Sequence, residues 1–170
     1  IGIFGYRLIE KRLFKNNRTL SKHTSFNIKK ILEAIFANNK IEELIQIGAN
    51  DGVSFDELNF FIKKYKTKSL LVEPIKNNFN LLKENYKDSN NISFENSAIS
   101  INNEISYLYK VNPKYIHKYG SHIPAIPSFN KNHLINHGVK NKHIVIEKVD
   151  SVSILKLINK YKFNTLDLLF

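Results

Sequence analysis

At 170 residues the chain is long enough for one domain with a sizeable core and too short for two full ones. Its composition, 42% hydrophobic and 12% aromatic, is that of a globular chain; the lack of cysteine excludes disulfides and thiolate metal sites, and no apolar run approaches the roughly 18 residues of a membrane-spanning helix. The net charge of +11 raises nucleic-acid binding, but the lysines are dispersed among Asn and Ile and the arginines are confined to Arg7, Arg12 and Arg18, so charge alone decides nothing.

The chain opens at Ile1 without a methionine and stops at Phe170 inside a predicted strand, so it reads as a fragment of a longer protein. Its first stretch, IGIFGYRLIEKRLFK, alternates apolar and basic residues. Such a piece is either a leading helix packed on its own domain, the preferred reading, or an amphipathic helix that touches a membrane surface. NIKKILEAIF then sets Ile28, Ile31, Leu32, Ile35 and Phe36 on one helical face, with Ser25 or Asn27 as its cap. Residues 1–40 are therefore expected to form an N-terminal helical extension, and residues 41–170 the first part of an α/β domain.

From residue 41 the pattern alternates. IEELIQI (41–47) is a short apolar strand, and Leu58, Phe61, Ile62 and Tyr65 follow at helical spacing. SLLVE (69–73) is apolar throughout, as befits a strand buried on both faces. A helix with Phe79, Leu82 and Tyr86 on one face leads to a third strand, ISFENSAI (92–99). Strand–helix–strand–helix–strand predicts a Rossmann-like, mostly parallel sheet with helices on both faces.

Beyond it, ISYLYKV (105–111) reads as a strand that can pair in a hairpin, and residues 112–128 as a loop rich in Pro, His and Tyr. Ser128 is the expected cap of a short helix, FNKNHLINH, that Gly138 ends. HIVIEKV (143–149) is a strand, DSVSILKLINKY a helix capped by Asp150 or Ser151, and TLDLLF the start of one more strand.

The chemistry concentrates where the first strand meets its helix, in IQIGANDGVSF. Gly48 and Gly52 allow a sharp turn and bring bare backbone near a ligand. The same residues also suit an ordinary strand–helix turn. Glu73, at the tip of the second strand, favours the ligand. In nucleotide-binding α/β folds a carboxylate there accepts from both ribose hydroxyls, and ligands lie outside the carboxyl ends of the strands. The loop GANDG lacks the third glycine of the dinucleotide fingerprint, and no P-loop lysine motif is present.

These segments resemble the FkbM-type methyltransferases, a branch of the Rossmann-like S-adenosylmethionine enzymes. The likeness rests on IQIGANDGVSFDEL, LLVEPIKNNFNLLKENY, SAIS, IPSFNKNHLINHG and VDSVSILKLINKYKFNTLDLLF, from about Glu42 onward, roughly three quarters of the chain. In relatives the last strand continues into an acidic ID-x-EG-like segment, which would lie beyond Phe170. The resemblance implies S-adenosylmethionine as cofactor. It sets Gly48, Asn50 and Gly52 along its amino-acid and ribose side with Asp51 nearby, Glu73 on the ribose hydroxyls, and Ser97 and Ala98 near the adenine. The acidic residue that often precedes the first glycine is replaced here by Gln46, so the expected carboxylate for the cofactor's ammonium group is missing.

The resemblance also implies O-methylation of a hydroxyl on a sugar, glycan or related natural product; the expected setting is the cytoplasm, and no metal-ligating residue is singled out. The region 112–137 is a plausible lid, and its His117, His122 and His133 are candidate bases. His137, Tyr115, Tyr119, Ser121 and Ser128 lie in the same region, but His133 and His137 at a four-residue spacing also suit an ordinary surface helix. The alternatives are a basic nucleic-acid-binding module on this fold, which predicts steep salt dependence, and a nucleic-acid methyltransferase. Dispersed lysines and the lack of an Asn-Pro-Pro-Tyr-like motif count against both, so no nucleic-acid partner is expected.

Overall fold

The computed structural model describes residues 27–101 and 105–170. The opening stretch 1–15, the three arginines Arg7, Arg12 and Arg18, and the candidate cap Ser25 lie outside the described residues. The first described helix, α1 (Ile28–Asn38), is capped by Asn27, whose side chain accepts the Lys30 N–H at 3.2 Å.

Four strands form a wholly parallel sheet: β1 (Glu43–Ile47), β2 (Lys68–Val72), β3 (Ile92–Glu95) and β8 (Leu168–Leu169), in the order β3-β2-β1-β8. The chain winds outward from β1 through α2 (Asn59–Tyr65) and α3 (Lys76–Asn85), then returns to the other side of β1. That reversal creates a switch point, the place where open α/β sheets bind ligands. β8 is fastened at its start by Asp167, whose Oδ2 accepts the N–H groups of Glu42 (2.8 Å) and Glu43 (2.9 Å).

Strand residues alternate between two cores, as the period of two requires. Leu44 and Leu71 pack with Leu32 and Phe36 of α1, Phe61 and Ile62 of α2, Leu82 of α3 and Tyr86 at its C-terminal end. Ile45, Leu70 and Val72 point the other way, against Val152 and Leu157. Leu157 belongs to α5 (Ile154–Lys160), so helices cover both faces of the sheet. No helix among the described residues is long and apolar enough to cross a membrane.

Three local expectations are corrected. The third strand does not run through 92–99: it stops at Glu95, and β4 (Ala98–Ile99) pairs instead with β7 (Ser151–Val152). The Asn96 side chain donates to the carbonyls of Glu73 (2.8 Å) and Pro74 (3.1 Å), which draws the chain off the strand line. The last helix is capped by Ser153, which accepts from Lys156, rather than by Asp150 or Ser151, because Ser151 is already in β7.

Ser128 does not cap α4 (Lys131–Asn136) either. Its backbone is bonded both ways to Tyr109 (2.8 and 3.0 Å), so Asn130 takes the cap, accepting the Asn132 N–H at 2.9 Å. Gly138 ends that helix in a left-handed conformation, φ 82°. The hairpin expectation holds: β5 (Ser106–Val111) pairs antiparallel with β6 (Ile144–Val149), and residues 112–143 form a long insert between them.

Candidate functional site

The turn after β1 is held against β2 by its own backbone. The N–H groups of Gly48 and Ala49 both donate to the Val72 carbonyl, at 2.8 and 3.0 Å. Gly48 (φ 75°), Asn50 (φ 52°) and Gly52 (φ 73°) take left-handed conformations, so the chain reverses within five residues.

Glu73 closes this turn. Its Oε2 accepts the Asn50 N–H at 2.9 Å and its Oε1 accepts the Ile75 N–H at 2.8 Å. The residue is only 5% exposed. Burial pushes the Glu73 carboxyl above the usual carboxylate range, with the charges of Glu147 and Asp51 adding to it, while the two N–H groups pull the other way. One carboxylate thus ties the glycine turn to the tip of β2.

A cavity of about 270 Å³ opens at this junction, and its lining includes Gly48, Asn50, Glu73, Ala98, Leu108 and Phe129. It lies at the carboxyl ends of β1 and β2, where the topology directs a ligand. Space around Gly48 is open: a Cβ there would meet nothing within 4 Å. A second cavity, about 470 Å³, is bounded by Asn50, Asp51, Ser54, Phe55, Asn78, Ser121, Pro124 and Ala125. Asn50, Asn78 and Ala125 line both.

The sequence-predicted residues divide accordingly. Gly48, Asn50, Glu73 and Ala98 share the first cavity, and Asp51 lines the second. Ser97 is buried beside Ala98, and its hydroxyl has no partner among the described residues. Gly52 faces inward: its Cβ position is filled by Leu82 and Tyr86, so it shapes the turn from beneath. Ser121 and Ser128 each line one cavity. His117, His122 and His133 are exposed and line neither. His122 and His133 gather around His137, with ring centroids 6.1 and 4.7 Å from it. Among the described residues no group of three or more His, Asp or Glu side chains is placed to hold a metal ion.

Sequence reasoning missed the far walls. Leu108, Ala125, Pro127 and Phe129 reach the first cavity from the hairpin and its insert, and no local pattern marks them. Asn78, in the first turn of the helix after Glu73, was within reach of the same strand-end logic. His143 was missed as well: it is buried, stacks on Tyr115 at 4.0 Å, and its Nδ1 lies 2.6 Å from the Tyr119 hydroxyl. Because that hydroxyl also accepts the Lys140 N–H (3.0 Å), it has its proton free to give to the imidazole. Burial lowers the His143 pKa, helped by Lys118, Lys142 and Lys140, which favours the neutral ring that this bond needs.

Gln46 is buried and turned to the start of α2, where its amide donates to Asp56 Oδ1 at 3.0 Å. The same oxygen accepts the N–H groups of Leu58 (2.9 Å) and Asn59 (3.2 Å), whereas Asp56 Oδ2, Gln46 Oε1 and the Tyr86 hydroxyl have no partner among the described residues. Burial raises the Asp56 pKa. A carboxyl raised in the fold stabilises most at low pH and loses that contribution as pH climbs through the folded value. Asp56→Asn keeps the Oδ1 acceptor and adds a donor among orphaned acceptors. It should stabilise the protein at pH 7 by about 1 kcal/mol and flatten the decline that sets in as pH rises above the ordinary aspartate range. Thermal melts through that rise in pH check it; a less stable variant at neutral pH would refute this account.

Comparison with curated proteins and with solved structures gives no significant match. The methyltransferase FkbM domain matches residues 46–170, a span that holds the glycine turn, Glu73 and both cavities, and the chain belongs to that family.

Proposed function

We propose that this methyltransferase takes its methyl group from S-adenosylmethionine and delivers it to a hydroxyl of a sugar, glycan or related natural product. The observation that carries the reading is the meeting of Gly48, Asn50, Glu73 and Ala98 on one cavity at the strand ends. The residues suit the cofactor. The open space at Gly48 admits a ligand to bare backbone, the Glu73 carboxylate is available to ribose hydroxyls, and Ala98, Ile99 and Leu108 offer an apolar wall for an adenine.

When bound, the cofactor supplies an electrophilic methyl on a sulfonium. The protein's part is to align an acceptor oxygen in line with it and keep water out. Pro127, Ser128 and Phe129 cover the cavity from the insert and suit that second task. The candidate bases are His117, His122 and His133, of which His122 adjoins the cavity-lining Ser121. The reading treats 41–170 as the methyltransferase unit and 1–40 as a helical extension, and it assigns a cytoplasmic setting and no nucleic-acid partner.

Ala125 lines both cavities and is only partly buried, so Ala125→Phe should obstruct them without unfolding the protein. Calorimetry with S-adenosylmethionine should show saturable binding in the wild type and a loss of about tenfold or more in the variant. A wild type that does not bind, or a variant that binds equally well, overturns the assignment.

A further inference from the structure

Each polar group around the shared cleft has a different claim on it. Each Glu73 oxygen accepts one backbone N–H and keeps a lone pair for a ligand donor, and Gln46 is buried against Asp56 with its amide turned away. Among the described residues the second cavity holds the amides of Asn50 and Asn78, the hydroxyls of Ser54 and Ser121, and a single ionisable side chain, Asp51.

Asp51 is held in one orientation. Its Oδ1 accepts the N–H groups of Val53 (2.9 Å) and Ser54 (2.6 Å), and its Oδ2 accepts the Ser54 hydroxyl at 2.7 Å. Burial works against its charge, but the bonds from Ser54 and Val53 outweigh it, and the carboxyl sits below the usual range. A carboxylate offers about four lone-pair positions. Oδ1 takes two of the bonds above and Oδ2 one, so Oδ2 keeps room for a further donor. The result is a fixed, ionised acceptor on a cavity that joins the Glu73 cavity through Asn50.

We infer that Asp51 receives the α-ammonium group of the cofactor's amino-acid end: the nucleoside occupies the first cavity and the aminoacyl tail the second. This inference rests on S-adenosylmethionine being the cofactor. In the second cavity, whose other polar lining among the described residues is neutral amides and hydroxyls, an ammonium is held best at Asp51, the anion oriented there beforehand, and a charge-assisted bond is about twice as strong as a neutral one. Asn78 and Ser121 then remain as neutral donors for the tail's own carboxylate.

The test uses two neutral thioethers that differ in the amino-acid end, S-adenosylhomocysteine and 5′-methylthioadenosine, titrated calorimetrically into wild type, Asp51→Asn and Asp51→Ser. Both substitutions retain an acceptor for the turn N–H groups without the charge, and unchanged melting temperatures would verify that the turn survives. S-adenosylhomocysteine should bind the variants about 10- to 100-fold more weakly, with 5′-methylthioadenosine binding unaltered. Equal losses for both ligands, or none for either, overturn the Asp51 assignment alone. A wild type that binds neither ligand overturns the cofactor reading, and the inference falls with it.

Discussion

Glu73→Ala should raise the dissociation constant for S-adenosylmethionine by at least about 100-fold, with a smaller loss of stability. Two effects combine. The substitution removes the acceptor proposed for the ribose hydroxyls, and charge-assisted bonds of that kind are worth about 1.5–3 kcal/mol each. It also leaves the N–H groups of Asn50 and Ile75 without the oxygens they now meet at 2.9 and 2.8 Å, so the glycine turn loses its tie to β2. The orphaned donors cost about 1–3 kcal/mol each if they stay dry. The cavity beside them can admit water, which lowers that cost. On the other side of the balance, removing a buried carboxylate whose pKa is raised relieves a penalty on ionisation at neutral pH. The fold therefore survives and the binding does not. Glu73→Gln keeps one acceptor and should fall between the two. Acid should act on wild type in opposite senses: protonating Glu73 favours the fold but removes the ionised acceptor. Affinity should therefore decline at a pH above that of an ordinary glutamate while this residue's contribution to stability grows. Calorimetry and thermal melts on the same samples separate the two. Cofactor affinity unchanged by Glu73→Ala would end the ribose assignment.

Much of this site could be read before any coordinates because it obeys rules that are local in sequence. Leu44–Ile45 and Leu70–Leu71 are adjacent apolar pairs, and only a strand buried on both faces satisfies both members of such a pair. Once β1 and β2 are neighbours joined by a right-handed crossover, the Gly48 turn and Glu73 must fall at the same end of the sheet. The misses share a different cause. Asn96 breaks the third strand through bonds to residues 22 and 23 positions away. Ser128 loses its cap to Asn130 because its backbone pairs with Tyr109, a contact that no local pattern announces. Leu108 and Phe129 wall the cavity for the same reason: the hairpin and its insert fold back over the strand ends, and that is tertiary information. His143 reads in the sequence as one more residue of an alternating strand, and its burial comes from its stacking on Tyr115 and its bond to the Tyr119 hydroxyl.

The two glycines of the turn should part company when each is replaced by alanine. Gly52→Ala meets both obstacles at once. Its φ of 73° puts an L-residue in the left-handed region, and the new Cβ would stand 2.6 Å from Leu82 Cδ1 and 2.6 Å from Tyr86 Cε2. Neither neighbour can swing away, because Leu82 is 0% exposed and Tyr86 1%. The turn cannot lift off instead, since the Gly52 carbonyl accepts from Asn59 (2.5 Å) and the Asp51 carbonyl from Asn85 (2.8 Å). Backbone strain of about 1–3 kcal/mol and overpacking of about 1–3 kcal/mol together take a large share of a typical 5–15 kcal/mol of stability. A drop in melting temperature of about 10 °C or more should follow. Gly48→Ala shares the strain, at φ 75°, but its Cβ meets nothing within 4 Å because it points into the cavity space. That variant should melt within a few degrees of wild type and bind cofactor poorly, since its methyl takes the place of bare backbone at the ligand. If the two variants lost stability equally, the turn would not be packed from below by Leu82 and Tyr86. If Gly48→Ala bound normally, no ligand would approach that backbone at all.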